Sequence, residues 1–358
     1  MNISLFQKKI LTWFDQHGRK TLPWQYDKTP YRVWVSEIML QQTQVSTVIG
    51  YFERFLQHFP TVESLANANL DDVLHLWTGL GYYSRARNLH LSAKKIANEF
   101  NGKFPDTLDE LQTLPGIGRS TAGAILAIAF QKKATILDGN VKRVLTRFLG
   151  ITEWSGEKSI LEKLWDTAEK LTPQTRVDDY TQAMMDLGAT LCIRGKPQCL
   201  QCPLEKMCVA RELNIEKNLP AAKPKKSLPI KQATLLILQD QHKILLQKRP
   251  PAGIWGGLWS LPELNGWITE NDIAIFCKRQ FKLSAQKITL NKTFRHTFSH
   301  YHLDILPVLI ETKHKPTTIM DSNQHIWYNL QSSPRIGLPA PIKKILEERR
   351  CVSFTVKS

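Results

Sequence analysis

The sequence lacks any apolar run that approaches the ~20 residues of a membrane span. The run near Ala122–Phe130 is far shorter. Acidic residues are also scarce: 32 Asp and Glu face 48 Lys and Arg, which gives a net charge of +16. This imbalance indicates a polyanionic partner, with nucleic acid more plausible than an anionic membrane. Residues 1–16 carry apolar side chains at helical spacing with lysines inside the pattern, which is typical of an amphipathic helix and not of a signal peptide. We therefore expect a cytoplasmic protein.

Cysteine is scarce as well, and four of the six cysteines fall within one short segment. Cys192, Cys199, Cys202 and Cys208 are separated by six, two and five residues. In a reducing cytoplasm this crowding favours a metal site over disulfides. Four thiolates can hold zinc or a [4Fe–4S] cluster, and the spacing alone does not decide between them. Cys277 and Cys351 lie outside this segment and are expected to be ordinary thiols.

The pattern of the chain changes at a proline- and lysine-rich stretch. Residues 1–215 show apolar residues at helical spacing, and residues 216–231 form an extended, charged linker. Residues 232–358 contain strand-like segments and end in a predicted helix at 341–350. The strand-like segments are 233–239, 243–249, 293–298 and 303–310. The sequence therefore predicts a multidomain protein with an all-α region followed by an α+β domain.

A glycine-containing turn lies at the centre of the helical region. Leu114–Gly118 precedes a helix that begins at Arg119, and such a turn points backbone N–H groups towards a phosphate oxygen. Gly116 and Gly118 allow close approach of another molecule. Asp138 follows eight residues after this helix. The segment combines an anchor for a phosphate backbone with a lone carboxylate.

A second carboxyl, Glu37, lies in a predicted helix between apolar residues that include Trp34 and Ile38. Burial in such surroundings raises the pKa of a carboxyl, so Glu37 can hold a proton near neutral pH. The alternative is a solvent-facing glutamate or one that pairs with Arg32.

Several strings in one order resemble the MutY-type adenine glycosylases of the helix-hairpin-helix base-excision superfamily. They are LPW at 22–24, SEIMLQQTQV at 36–45, TGLGYYSRARNLH at 78–90, LPGIGRSTAGAI at 114–125 and ILDGNVKRV at 136–144. The resemblance extends over nearly the whole chain and places the helix-hairpin-helix at about 108–130. It also favours a [4Fe–4S] cluster over zinc in the cysteine loop at 192–208, with a structural role there.

The resemblance implies catalytic roles for the two carboxyls. Glu37 would protonate adenine at N7 and then help to activate water, while ionised Asp138 would stabilise the cationic sugar. Asn140 would orient Asp138, although a simple turn asparagine is an equally good interpretation. Ser120 occupies the place of the lysine nucleophile of the lyase branch, so strong lyase activity is not expected.

The resemblance also implies a DNA-binding set and an adenine pocket. Gln42 and Tyr82 would wedge into the base stack beside the opposite base, since the target base must leave the helix. The remaining predicted DNA contacts are Thr43, Gly116, Gly118, Ser120, Ser299 and His300. Trp24 and Gln182 would line the pocket that receives adenine.

The C-terminal domain resembles a Nudix fold without its metal-binding helix. PPAGIWGGLWSLPE at 250–263 matches the start of a Nudix loop, but 265–281 lacks the carboxylate cluster that should follow. FRHTFSHYHLDI at 294–305 matches the loop that reads 8-oxoguanine in MutY-type enzymes. Ser299 and His300 are the predicted reading residues, with a surface histidine-rich loop as the alternative.

The hypothesis is a monomeric, monofunctional DNA glycosylase that removes adenine mispaired with 8-oxoguanine or guanine in double-stranded DNA. One alternative is a glycosylase/lyase for oxidised pyrimidines, which Ser120 and the C-terminal domain disfavour. Others are a mismatch-binding module without catalysis, which Glu37 and Asp138 disfavour, and a nucleotide hydrolase, which the missing carboxylate helix disfavours.

Overall fold

The computed structural model describes residues 2–224, 227–312 and 324–355, and for 352–355 only the backbone. The first 212 residues are helical wherever they are regular, as predicted. The helices are α1 (Ile3–His17), α2 (Pro30–Leu40), α3 (Val45–His58), α4 (Val62–Ala66), α5 (Leu70–Leu76), α6 (Ser84–Glu99), α7 (Leu108–Gln112), α8 (Arg119–Ala129), α9 (Gly139–Phe148), α10 (Lys158–Leu171), α11 (Val177–Thr190) and α12 (Val209–Glu212). Two short 3₁₀ helices, Cys199–Gln201 and Glu205–Met207, lie in the cysteine loop.

Helix α2 is buried along most of its length because seven of its residues are apolar or small and face neighbouring helices. It begins with Thr29 as N-cap and Pro30 in the first turn, where a proline costs no hydrogen bond. It packs against α8, which is rich in alanine, while Gly123 of α8 faces the chain that leads to α9. A side chain at Gly123 would collide with the backbone oxygen of Thr135.

The predicted turn between α7 and α8 is present. Gly116 has φ +82°, in the left-handed region, and a Cβ there would lie 2.9 Å from the Cβ of Asn88. Gly118 caps α8 with φ −93° and no side chain caps this helix start. A Cβ built on Gly118 would meet no protein atom within 4 Å. Gly116 is thus required by backbone conformation, and Gly118 leaves open space before the first helical turn.

Residue contacts divide the chain into two compact units. One consists of Met1–Asn67 and Asn88–Lys225, and the other of Ala68–Arg87 and Lys226–Ser358. The predicted domains 1–215, 216–231 and 232–358 are continuous in sequence. The contact-defined units differ from them chiefly in the segment 68–87, which packs with the C-terminal residues.

The second unit contains an eight-stranded mixed sheet in its described residues. Its strands are β1 (Ile230–Asp240), β2 (Lys243–Lys248), β3 (Trp259–Ser260), β4 (Glu263–Asn265), β5 (Ala285–Leu290), β6 (Phe294–Thr297), β7 (His302–Thr312) and β8 (His325–Asn329). The central order is β3-β2-β1-β7-β5, with β4 on β1, β6 on β7 and β8 on β2. Only the β1–β7 pair is parallel among these pairs.

Two helices accompany the sheet, α13 (Glu270–Phe281) and α14 (Ala340–Thr355). The α13 face that carries Ile273, Cys277 and Phe281 forms a core with β1 and β7 residues such as Leu236 and Val308. Cys277 is fully buried there, consistent with the expected ordinary thiol. The predicted hairpin at 233–249 and the predicted strands at 293–298 and 303–310 are confirmed as β1–β2, β6 and β7. Among the described residues, no helix is long and apolar enough to cross a membrane.

Candidate active site

Glu37 lies on the third turn of α2 among buried neighbours. The side chains on either side of it, Ser36 and Ile38, are 1% and 3% exposed. Burial, and second the negative charge of Asp138, raise the pKa of Glu37 to about 8. The elevation expected from the apolar neighbours is therefore present. The influence of Asp138 also indicates that the two carboxyls lie within electrostatic range of each other.

Asp138 is the N-cap residue of α9, and its carboxylate is supported by α9 itself. Oδ1 accepts a hydrogen bond of 2.8 Å from the Val141 amide, and Oδ2 accepts one of 3.2 Å from the side-chain amide of Asn140. Burial raises the pKa of Asp138, whereas these donors and the charge of Arg143 act in the opposite direction. Asp138 therefore has support for its anionic form that burial alone would deny it.

Asn140 connects Asp138 to a half-buried arginine, Arg143. Its Oδ1 accepts a 2.8 Å hydrogen bond from Nη2 of Arg143, which leaves its amide nitrogen to donate to Asp138. Nη2 of Arg143 also donates to the backbone oxygen of Gly188, and Nε donates to that of Cys192. A Cβ at Gly188 would lie 2.6 Å from that of Asn140, so α11 approaches α9 at its closest here. Asn140 therefore contacts Asp138, and its orienting role stays a prediction.

Arg143 directs its side chain into the protein. Its guanidinium is committed to backbone oxygens and to Asn140. Arg147, one helical turn further, is 2% exposed and donates from Nη1 to the backbone oxygen and the Sγ of Cys192. The sequence analysis missed Arg147. Its i+4 spacing from Arg143, which places both on one face of α9, was the available signal.

The four cysteines 192, 199, 202 and 208 line a single cavity, together with apolar residues of α9 and α11 and the guanidinium groups of Arg147 and Arg211. None forms a disulfide. Burial, and the mutual repulsion of the thiolates, raise the pKa of Cys202 to about 12. Among the described residues, no group of three His, Cys, Asp or Glu side chains has the arrangement for holding a metal ion. The structure thus groups the four sulfurs around one cavity.

Ser120 is on the first turn of α8 and is bound to the chain that leads to Asp138. Its Oγ accepts a hydrogen bond of 3.0 Å from the backbone amide of Leu137. The hydroxyl therefore ties the start of α8 to the residue immediately before the catalytic candidate. A serine hydroxyl can do this, whereas it cannot form an imine.

Gln42 and Tyr82, the predicted wedges, share an uncommon backbone conformation. Both have positive φ, 58° and 48°, although neither is glycine. Such strained positions concentrate at functional sites. Gln42 is exposed on the turn after α2, and Tyr82 is 48% exposed. Thr43, on the same turn as Gln42, directs its Oγ1 towards the backbone oxygen of Gln41 at 3.4 Å.

The predicted pocket residues are engaged in the protein. Trp24 is 5% exposed and packs edge-to-face on Phe52 with ring centroids 5.5 Å apart. Gln182 donates a 2.9 Å hydrogen bond to Asp186, which is fully buried and paired with Arg19. These contacts account for both side chains without an adenine, so their pocket role stays a prediction.

Ser299 and His300 are exposed at the connection between β6 and β7. The backbone amide of Phe298 donates to the oxygen of Tyr301 at 2.9 Å and closes this loop. Beneath it, Phe298 contacts the rings of Trp255 and Tyr301 at centroid distances of 5.5 and 4.8 Å. The loop therefore presents a hydroxyl and an imidazole above a cluster of aromatic side chains.

Comparison with known proteins now bears on this geometry. Residues 35–170 match the description HhH-GPD superfamily base excision DNA repair protein, and residues 233–348 match a NUDIX domain. An adenine DNA glycosylase of Buchnera aphidicola subsp. Acyrthosiphon pisum is 42% identical over 96% of this chain and 97% of its own length. The human adenine DNA glycosylase is 36% identical over 73% of this chain and 58% of its own length. The structure of a thermostable thymine-DNA glycosylase is similar with TM-score 0.54 and 28% identity, covering 59% of this chain and 97% of that one.

Proposed function

Because the chain belongs to the adenine DNA glycosylases, hydrolases of N-glycosyl bonds that act in base-excision repair, we propose that it removes adenine paired with 8-oxoguanine or guanine. We further propose that it leaves the DNA backbone uncut. The observation that carries the proposal is the pair Glu37 and Asp138, two carboxyls within electrostatic range of each other: one has its pKa raised to about 8 and the other accepts two hydrogen bonds.

In the proposed reaction, neutral Glu37 donates its proton to N7 of an extruded adenine. The bond between C1′ and N9 breaks, and its electron pair leaves with the base. Ionised Asp138 stabilises the positive charge that develops at C1′. Water then attacks C1′, and its proton passes to the Glu37 carboxylate, which restores the acid. Each carboxyl thus keeps its own role throughout the reaction, Glu37 as proton donor and acceptor and Asp138 as the stabilising anion, because their surroundings differ.

The test is single-turnover excision from duplex DNA that contains adenine opposite 8-oxoguanine. Glu37→Gln preserves size and removes the proton source, so we expect retained DNA binding and a loss of excision of about 10²–10⁴-fold. Glu53→Gln, on the exposed face of α3, is the matched control and should excise normally. Unimpaired excision by Glu37→Gln would refute the assignment.

The absence of strong lyase activity rests on Ser120. Its Oγ accepts from the Leu137 amide, and no amine stands at this position to attack the sugar. Borohydride should therefore trap little covalent protein–DNA adduct. Efficient trapping by the unmodified protein would instead favour the glycosylase/lyase hypothesis.

The cofactor we propose is a [4Fe–4S] cluster held by Cys192, Cys199, Cys202 and Cys208. Support comes from the grouping of all four sulfurs around one cavity and from two guanidinium groups that offset the negative charge of thiolates. When bound, the cluster would fix the loop between α11 and α12. A broad visible absorbance of the thiolate-to-iron type in the purified protein would identify it, and a colourless zinc-containing protein would contradict it.

For the NUDIX-like unit we propose lesion reading by Ser299 and His300, whose exposed groups can donate to or accept from the N7–H and O8 edge of 8-oxoguanine. Pyrophosphate hydrolysis is not proposed, because the carboxylate of Glu263 is paired with Arg249 at 2.5 Å. Ser299→Ala should lower the preference for 8-oxoguanine over guanine, measured as the ratio of single-turnover rates. An unchanged ratio would contradict the reading role.

A further inference from the structure

Residues 68–87 lie within the helical part of the sequence, yet they form one compact unit with the C-terminal residues and not with the helices on either side. They include α5 and the loop that presents Tyr82, the predicted wedge. Asp71, in the first turn of α5, is the centre of a set of contacts with strands β2 and β3. Its Oδ2 lies 2.9 Å from Nζ of Lys248, and its Oδ1 accepts a 3.3 Å hydrogen bond from the indole of Trp259. Lys248 also lies over the Trp259 ring at 5.3 Å.

The C-terminal end of the segment is anchored to the C-terminal residues by Tyr83, the residue next to Tyr82. Tyr83 is 8% exposed and donates its hydroxyl proton to the backbone oxygen of Leu338 at 2.8 Å. Its neighbour Tyr82 is 48% exposed. Of two consecutive tyrosines, one is therefore anchored in the unit and the other is presented outwards. Arg87 adds a 2.6 Å hydrogen bond to the backbone oxygen of Gly256.

The backbone of α5 also lies unusually close to the C-terminal residues. A Cβ built on Gly337 would be 2.6 Å from the Cβ of Leu74 and 3.3 Å from its carbonyl carbon. A hydrogen bond links Nδ1 of His75 to the backbone oxygen of the preceding Ile336 at 3.2 Å. Any side chain at position 337 would thus push α5 away.

The wedge loop makes contacts of its own around Tyr82. Gly79, Gly81 and Tyr82 all have positive φ, and the indole of Trp77 donates to the oxygen of Gly81 at 3.2 Å. The guanidinium of Arg85 donates to the same oxygen and lies 5.6 Å from the Tyr82 ring centroid. A displacement of the residues that anchor such a loop therefore also displaces its tip, Tyr82.

We propose that Asp71 is a positioning residue for Tyr82: with Lys248 and Trp259 it latches the wedge segment 68–87 onto the unit that carries Ser299 and His300. The reading of the opposite base and the wedge in the DNA stack are then parts of one body. The proposal rests on the proposed function, because it assigns Tyr82 and Ser299 to the same recognition step.

Hydrogen exchange of the full-length protein tests the latch without any use of activity. Asp71→Asn keeps an oxygen for Trp259 but removes the charge that faces Lys248. Amides of 77–83 should exchange about 3–5-fold faster, the range expected for a partly exposed ion pair. Gly337→Ala, which acts by steric displacement of α5, should have the same effect. Glu311→Gln, which removes the exposed Lys287–Glu311 pair of the same unit, is the matched control and should leave these amides unchanged.

A double-mutant cycle of Tyr82→Leu and Ser299→Ala tests the functional part. In single-turnover excision opposite 8-oxoguanine, the combined loss should differ from the product of the single losses by at least about threefold, which double-mutant cycles resolve readily. In the Asp71→Asn background the losses should become multiplicative.

The outcomes separate the two proposals. Unchanged hydrogen exchange of residues 77–83 in both Asp71→Asn and Gly337→Ala would overturn the latch. Faster exchange would also overturn it if the coupling between Tyr82→Leu and Ser299→Ala were the same with Asp71→Asn as without it. A wild-type protein that does not excise adenine opposite 8-oxoguanine overturns the proposed function instead, and exchange then still judges whether the latch exists.

Discussion

At the scale of single residues, the carboxyl of Glu37 lies in surroundings that favour its neutral form. The ordinary pKa of 4.5 is raised to about 8. The folded chain therefore binds a proton that the unfolded chain releases between these two pH values. The free energy of unfolding should fall as pH rises through this range, because the unfolded chain releases the proton that the folded chain must keep.

This predicts that Glu37→Gln is stabilising where it destroys activity. At pH 8 the variant should exceed the wild type in free energy of unfolding by about 1–3 kcal/mol, with little difference at pH 4.5. Urea unfolding at both pH values measures this. A difference that is equal at the two pH values would show that the carboxyl is not the cause.

The rate of excision should depend on the protonation of the same carboxyl, Glu37. Because the proposed acid must be protonated, the single-turnover rate is expected to fall about tenfold per pH unit above about 8. The apparent pKa will belong to the Glu37–Asp138 pair, since the two carboxyls interact. A rate that stays level to pH 10 would exclude Glu37 as the proton donor.

Arg143 offers a prediction about support for Asp138. Arg143→Met removes the donor that orients Asn140 and a charge that favours the Asp138 anion. We expect excision to slow by about 10–100-fold, the equivalent of one hydrogen bond to a charged group. Lys142→Met, which removes the same charge from the adjacent residue, should change DNA affinity more than the rate of excision. Equal effects of both variants on excision would contradict the support role.

The residues themselves indicated part of this site. The apolar neighbours of Glu37 predicted its raised pKa, because sequence proximity on one helix is enough to predict burial. The hydrogen bonds from Arg143 to the backbone oxygens of Gly188 and Cys192 could not be predicted, because they depend on α11 passing close to α9 at Gly188. The same tertiary contact explains why Arg147 was missed. Roles in the reaction, including those of Gln42 and Gln182, stay predictions.

At the scale of elements, the turn between α7 and α8 makes two glycines experimentally distinguishable. Gly116→Ala should destabilise the protein by about 1–2 kcal/mol, since φ is +82° and the added Cβ meets Asn88. Gly118→Ala should leave stability nearly unchanged, because φ is −93° and nothing lies within 4 Å.

Both variants should bind duplex DNA more weakly, but for different reasons. Gly116→Ala displaces the turn, whereas Gly118→Ala occupies the open space in which a phosphate would approach the first amides of α8. Thermal unfolding and DNA titration of the two variants measure this. Normal affinity of Gly118→Ala would indicate that the start of α8 does not contact DNA.

Elements of the second unit were predicted to different degrees. Alternating and continuous apolar runs located β1, β2, β6 and β7, because strands of this length carry their own pattern. The short strands Trp259–Ser260 and Glu263–Asn265 carry too few residues for any period. The parallel pairing of β1 with β7 joins residues such as Leu235 and Pro307 across the fold, which no local pattern records.

At the scale of the whole molecule, the charge of +16 predicts a strong dependence of DNA binding on salt. Lysines and arginines that neutralise phosphates release counterions, so affinity for undamaged duplex should fall at least about tenfold between 50 and 200 mM salt. Titrations at several salt concentrations provide the slope. A flat dependence would contradict a phosphate-based interface.

The division of the chain into units also belongs to this scale. The change of composition at 216–231 predicts a linker, and the boundary between the contact-defined units, at Lys225–Lys226, falls inside this stretch. The membership of 68–87 in the second unit was not visible, since α5 has the same apolar spacing as any other helix and its partner at Gly337 is distant in sequence.

That arrangement has a consequence for synthesis on the ribosome. His75 and Ile336 are bonded to each other across 261 residues. At about 5–20 residues per second, the α5 segment emerges roughly a quarter to a full minute before its partner exists. During that interval the nascent chain must keep Leu74 from associating elsewhere, so a newly made molecule completes its wedge only after residue 336 has been added.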